Sequence, residues 1–266
     1  MPSPWDDKQK PHEKSKFHGK KDKDHGPHER GLGAKVPPGL EDKKAEDPDA
    51  DEQVPAVGAS GLASAAGEEA IPLAGAYPSY AYVKLSTRPP GTNQGTDPMC
   101  VPHASAYDQN QHDRPESGQF WDFNRSLFFS RIGGNAYGSS ITSANQERID
   151  QGYPVKNLGH AGSHRIRRAI SLDKTVNAVK DSISKGHGGL ILIPWFQSWF
   201  HPLASGKLPW PDYFVGYHEV WYYGYNDNIG IWIQNSWGTE YGISGRVALP
   251  YTHLWRARVI HRTVDV

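Results

Sequence analysis

The stretch Asn235-Ser236-Trp237-Gly238-Thr239, followed by Tyr241, Gly242 and Gly245, lies seventeen residues behind His218 and decides how this chain is read. It closes a β-rich half. His218–Tyr225 and Asn228–Asn235 read as two strands around a tight turn at Asn226-Asp227-Asn228. His218 therefore opens one strand and Asn235 ends the next. Gly189–Pro194 is a buried strand candidate before them, and Gly245–Leu249 and Ala257–Ile260 are short strands after them.

Outward toward the N-terminus the period becomes helical. A helix is expected from Asp173 to Ser184, capped by Ser171-Leu172-Asp173 and ended before Gly186. Residues 119–131 place apolar groups at helical spacing. Another helix starts near Cys100 and tolerates Pro102 in its first turn. Ala81–Leu85 reads as an edge strand before the turn at Pro89-Pro90-Gly91. Helices first and strands after define an α+β domain.

Cys100 is the single cysteine of the 266 residues, so no internal disulfide forms. A lone cysteine is by default a small buried hydrophobe. As a nucleophile it needs a helix N-terminus to favour thiolate and an imidazole beside it. It also needs a group that fixes the imidazole's tautomer and donors aimed at the developing oxyanion. The helix starting near Cys100 supplies the first requirement. The loop Asn93-Gln94-Gly95-Thr96-Asp97-Pro98-Met99 before it carries a glutamine six residues ahead of the thiol.

Together these residues resemble the papain-like cysteine peptidases: a Gln-Gly loop leading into a nucleophile helix, then a histidine, then Asn-Ser-Trp-Gly. In that family the histidine and asparagine follow the cysteine by roughly 130–150 residues; here the separations are 118 and 135. The likeness spans about residues 75–250. It implies a two-lobed α+β fold, with a helical lobe over about 92–185 carrying Cys100. A β-barrel lobe over about 186–266, joined by the strand near 78–88, would carry His218 and Asn235. The cleft between the lobes would hold the site.

The resemblance further implies roles. Cys100 is the nucleophile, His218 the acid and base, and Asn235 the group that orients the ring. Trp237 covers the His218–Asn235 bond, and the Gln94 amide with the Cys100 N–H forms the oxyanion hole. Ala136-Tyr137-Gly138-Ser139-Ser140 looks like the family's substrate-pairing loop, with the Gly138 backbone pairing to peptide. Glu219 and Phe196 are candidates to line the pocket for the residue before the scissile bond. The resemblance implies a protein or peptide substrate and no metal or organic cofactor. Val101 stands where the family has an aromatic residue, and Tyr217 precedes the histidine. Cys100-Val101-Pro102-His103 and the missing disulfides resemble prokaryotic or phage-type members more than secreted ones. His103, His160 and His164 read as structural or surface residues.

Residues 1–70 differ in kind. They hold 11 Lys and Arg against 15 Asp and Glu, a net of −4, and the remaining 196 residues carry 18 against 14, a net of +4. Eight of the nine tryptophans lie beyond residue 70. With few large apolar side chains, residues 1–70 are expected to be a disordered charged arm ending in an Ala/Gly/Ser linker, ahead of a domain over 71–266. Its histidines (His12, His18, His25, His28) lack metal-site spacing and read as solvated. The arm is a pro-segment, a tether to a partner, or passive, and nothing in it resembles the family's helical inhibitory segment.

The neutral total, 29 Lys and Arg against 29 Asp and Glu, argues against a nucleic-acid or anionic-membrane partner. No apolar run reaches the length of a membrane span, and the N-terminus lacks a signal-peptide core. A reducing cytoplasm or a virion is the expected setting. Two other functions stay open: a different Cys-His hydrolase or acyltransferase, such as one acting on peptidoglycan, and a catalytically silent binding module of the same fold.

Overall fold

A computed structural model describes Leu32, Ala34–Lys35 and residues 77–84, 88–156 and 164–265. In chain order its elements are β1 (Ala34–Lys35), β2 (Tyr80–Tyr82), α1 (Cys100–Ser117), α2 (Arg125–Arg131), β3 (Ser139–Ser140) and α3 (Ile141–Asp150). Then follow β4 (Ile166–Ser171), α4 (Val176–Ser184), β5 (Gly189–Phe196), β6 (Phe214–Asn226), β7 (Gly230–Gln234), β8 (Arg246–Leu249) and β9 (Val259–Asp265). The arm's residues other than Leu32 and Ala34–Lys35, its histidines, Leu85 and His160 lie outside the described residues.

One antiparallel sheet organises the domain, in the order β4-β9-β5-β6-β7-β8. β2 pairs with the far end of β6, past the point where β5 stops. The expected barrel is not closed: β4 and β8 remain as edges among the described residues. Among the described residues β4 joins the sheet through β9.

Alternation along the strands gives the sheet two apolar faces. Ile191, Ile193, Val220, Ile233 and Val247 meet Val179 and Ile183 of α4 on one face. Leu190, Trp221, Tyr223 and Trp232 meet Ala104 and Tyr107 of α1 on the other. Leu192 and Val259 reach a second core built by Cys100, Val101, Phe123, Phe128, Ile141 and Tyr153. Each such side chain contributes about 1.5–3 kcal/mol by leaving water.

α1 is wedged between sheet and helical half, so its polar residues are buried as well. Asp108 pairs with Arg148 of α3 at 2.9 Å, both side chains 0% exposed. Asp113 pairs with His164 at 2.7 Å, and Gln111 accepts from the Gly188 N–H at 2.8 Å. Asn110 accepts from the Trp121 N–H at 2.7 Å. α1 ends at Gly118, whose φ of 71° is the left-handed turn a C-terminal glycine supplies.

Several expected boundaries move. Of residues 119–131 only Arg125–Arg131 are helical, because the Asn124 side chain caps the helix by accepting from the Leu127 N–H. The strand expected over Ala81–Leu85 is Tyr80–Tyr82. α4 starts three residues late because Thr175, not Asp173, is its cap. β9 runs on to Asp265. β4 pairs with β9, and α4 packs on the sheet core through Val179 and Ile183.

Candidate active site

Cys100 is the first residue of the 18-residue helix α1 and is fully buried. Peptide dipoles aligned along α1 place partial positive charge at that end, which favours a thiolate there. Met99 at the cap offers no side-chain bond, so the turn is shaped by backbone bonds from the Asp97 N–H to the Gln94 carbonyl and from the Met99 N–H to the Asp97 carbonyl.

His218 lies on β6 and Asn235 directly after β7, and the β6–β7 pairing brings them together. His218 Nε2 is 2.8 Å from Asn235 Oδ1. The Ser236 N–H donates to the same Oδ1 at 2.7 Å. A backbone N–H can only donate, so that atom is the amide oxygen and Nε2 carries the proton. The neutral ring then presents a bare Nδ1, which has no hydrogen-bond partner among the described residues. Burial pushes the His218 pKa down to about 4, with the Asn235 bond pulling it partly back.

Trp237 stacks on the imidazole, with centroids 4.7 Å apart and planes at 23°. Trp195 meets both rings edge-on at 4.9 Å. The Trp237 ring itself rests on Phe200 at 5.2 Å. This aromatic enclosure shuts water away from the His218–Asn235 bond and sets a π face against a ring that gains charge on protonation.

The Gln94 loop is sewn to the asparagine segment. Asn93 bridges Trp237, the Gln94 N–H donates to the Ser236 carbonyl at 2.8 Å, and the Gly238 N–H donates to the Thr92 carbonyl at 2.9 Å. Gln94 Oε1 accepts from the Ser236 hydroxyl, and Gln94 Nε2 donates to the Asp97 carbonyl at 2.8 Å. Gln94, His218, Asn235 and Trp237 are thus joined in one neighbourhood, with the Gln94 loop leading into Cys100.

The other expected residues sit differently. Both backbone groups of Gly138 are taken by Asn135, at 2.8 and 3.1 Å, in a turn with φ 97°. The paired edge starts one residue later, at Ser139. Glu219 alternates to the face opposite His218, opposite Leu192 in register. Its buried carboxyl oxygens have no hydrogen-bond partner among the described residues, and burial raises its pKa well above the usual range. Phe196 belongs to the sheet core, against Trp199 at 4.9 Å.

Sequence reasoning missed a buried chain behind the site. His103 Nδ1 is 2.6 Å from Thr92 Oγ1, which is 2.6 Å from the Tyr107 hydroxyl, which donates to the Asn235 carbonyl at 3.2 Å. Burial holds the His103 pKa near 3, so its ring is neutral. The carbonyl can only accept, so the chain runs in one sense: His103 N–H to Thr92, Thr92 O–H to Tyr107, Tyr107 O–H to Asn235. The available signal was the spacing of His103 and Tyr107, one helical turn apart.

This open sheet with a helix wedged against it is the papain-like fold, and solved structures bear that fold out. The chain is similar to xylellain, a cysteine protease from Xylella fastidiosa, with TM-score 0.63, 17% identity, and 72% of this chain and 87% of that one covered. It is also similar to procathepsin B S9 from Trypanosoma congolense, with TM-score 0.62, 12% identity, and 77% and 83% covered. No family model and no curated protein sequence matches it. No group of three or more His, Cys, Asp or Glu suited to a metal occurs among the described residues, and no helix there is long and apolar enough to cross a membrane.

Proposed function

We propose that this chain is a cysteine-type peptidase with Cys100 as nucleophile, His218 as acid and base, and Asn235 as the residue that orients His218. The observation that carries it is the His218 Nε2–Asn235 Oδ1 bond of 2.8 Å, which leaves Nδ1 without a hydrogen-bond partner among the described residues, in a chain whose one cysteine begins helix α1. A neutral imidazole with a bare nitrogen is a base, and its low pKa means it takes the thiol proton as the reaction starts rather than holding it at rest.

The thiolate then adds to the carbonyl carbon of the scissile peptide. Negative charge collects on that oxygen, with the Cys100 N–H and the Gln94 amide as its donors. His218 Nδ1–H gives its proton to the leaving amine, the C–N bond breaks, and a thioester remains on Cys100. Water, losing a proton to His218, adds to the thioester; the acid leaves and the thiol takes the proton back. Substrate would enter as a strand on the Ser139–Ser140 edge. Xylellain, of similar fold, is a cysteine protease, and that chemistry suits this arrangement.

The test is intact mass after exposure to an epoxysuccinyl peptide, beside turnover of a casein digest. One adduct on Cys100 in the native chain, absent after prior unfolding, is expected, and Cys100→Ala should remove turnover with the melting temperature unchanged. Turnover surviving in Cys100→Ala sinks the mechanism.

A further inference from the structure

One face of the chain displays aromatic rings to solvent and uses hydrogen bonds to hold them there. Trp210 is 74% exposed, Tyr213 57%, Trp255 56% and Phe214 37%. They come from two segments: the β5–β6 connection running into β6, and the short helix Tyr251–Arg256. Ring contacts join the segments into one surface. Trp210 meets His253 edge-on at 5.1 Å, and Phe214 meets Tyr217 at 5.1 Å. The Arg256 guanidinium lies over Trp255 at 4.5 Å and over Phe196 at 5.6 Å, and Phe196 is 6.5 Å from Phe214. Beyond Phe214, Arg258 donates to the Tyr217 hydroxyl at 3.0 Å, one residue from His218. The connection that presents Trp210 and Tyr213 is tied down at four points. The Ser198 hydroxyl donates to the Trp210 carbonyl at 3.0 Å, and Asp212 accepts from the Ser198 N–H at 2.9 Å. The Gln197 N–H donates to the Tyr213 carbonyl at 3.1 Å, and the Trp199 indole donates to the Pro209 carbonyl at 3.0 Å. Pro209 and Pro211 fix φ on either side of Trp210.

We propose that this face, with Trp210, Tyr213, Phe214 and Trp255 as its anchors and Arg256 and Arg258 among them, is a docking site for an acidic segment of a partner protein. A contiguous exposed apolar patch marks a contact surface. Trp, Tyr and Arg are the residues that carry most of the binding at such surfaces. The sign of the partner follows from the charge of the face. Residues 196–217 and 251–258, which build it, hold Lys207, Arg256 and Arg258 against Asp212, a net of +2 in a chain whose total is zero. Stacking on Trp255 fixes the plane of the Arg256 guanidinium, which limits the entropy lost when it meets a carboxylate. Rings already held in place bind at low ordering cost for the same reason. Phe214 and Tyr217 lead along β6 to His218, so a protein held there would sit beside the candidate site. Docking itself is independent of the chemistry at Cys100.

The test is fluorescence anisotropy on the full chain carrying Cys100→Ala, so that no probe is cut. The probes are a fluorescein-labelled peptide of alternating Glu and Leu and the same peptide with Lys in place of Glu. Cosedimentation with vesicles of phosphatidylcholine and phosphatidylserine runs beside them. The Glu peptide should bind, and Trp210→Ser, Trp255→Ser and Arg256→Gln should each weaken it by about fivefold or more. Raising the ionic strength should weaken it as well, and the Lys peptide should not bind. Both tryptophans are more than half exposed, so melting temperatures should stay within a few degrees of the parent. No binding of the Glu peptide, equal binding of the Lys peptide, or binding that all three variants leave unchanged overturns the proposal. Vesicle binding without peptide binding, lost in Trp210→Ser, overturns it in favour of a membrane surface. A dimer in solution that Trp210→Ser and Trp255→Ser dissolve overturns it in favour of a second copy of this chain.

Discussion

The Tyr107 hydroxyl donates to the backbone carbonyl of Asn235 at 3.2 Å, from one helical turn past His103 on α1. The helix that carries the thiol is thereby fastened to the residue that orients the imidazole. Fixing a reacting pair in register removes entropy from the barrier, and small displacements are costly. Tyr107→Phe leaves the Asn235 carbonyl and the Thr92 hydroxyl without this partner, at about 1–3 kcal/mol of stability. If the chain positions the pair, kcat falls about tenfold while KM stays nearly constant. Thr92→Ser, which keeps the hydroxyl, should restore what Thr92→Val removes; steady-state kinetics and thermal melts on these variants check it.

Acid should unfold this protein through its neutral histidines. Burial holds His103 near pKa 3 and His218 and His261 near 4, against 6.5 in an unfolded chain. Between those values the unfolded chain binds the protons that the folded one refuses, so stability rises with pH there. The stability is therefore complete above about pH 6.5 and is lost as pH falls toward 4, by on the order of a few kcal/mol per histidine. Melting temperature against pH, in wild type and His261→Gln, should show a shallower acid slope in the variant.

Glu219 works in the other direction. Its pKa is raised by burial well above the usual carboxyl value, so the folded chain keeps this proton to a higher pH than the unfolded chain does. That state is favourable below the ordinary carboxyl range and destabilises increasingly as pH rises above it. Glu219→Gln has the same shape and no proton to hold. Its melting temperature should exceed wild type at pH 7–8 and match it near pH 4.

Arg148 and Asp108 form an ion pair with both side chains fully buried, and Thr263 also donates to Asp108. Removing one partner strands the other charge, which costs about 3–5 kcal/mol. Arg148→Met should lower the melting temperature by about 10 °C, and adding Asp108→Asn should recover much of it. A double variant no better than the single would show that the pair is not coupled.

The meeting of His218, Asn235, Trp237 and the Gln94 loop was legible because it follows from residue types at fixed separations: Gln94 before Cys100, and His218 before Asn235-Ser236-Trp237-Gly238. The supporting structure was not, for reasons that differ by element. α1 carries Asp108, Gln109, Asn110 and Gln111 in a row, which reads as a solvated face, yet their partners (Arg148 on α3, the Gly188 N–H, the Trp121 N–H) come from distant parts of the chain. α3 passed unnoticed although Ser140 caps it, because Ile141 and Ala144 are its chief buried apolar groups. β4 was hidden by Arg167 and Arg168, which sit on its exposed positions. The β1–β3 ladder is two residues long and joins segments over a hundred residues apart, so no local pattern announces it. The expectation of a barrel came from resemblance, and closure depends on edge pairings that no local pattern encodes.

The place of β4 at the rim of the sheet has a consequence for synthesis. Among the described residues its one strand partner is β9, and 87 residues (172–258) separate the two strands. At about 5–20 residues per second, β4 waits roughly 4–17 s as an unmatched ribbon after it leaves the ribosome. Unmatched strands invite other chains, and charged side chains along them discourage such pairing. Arg165, Arg167 and Arg168 give the exposed side of this rim strand the charge that disfavours such pairing before Val259–Asp265 is made.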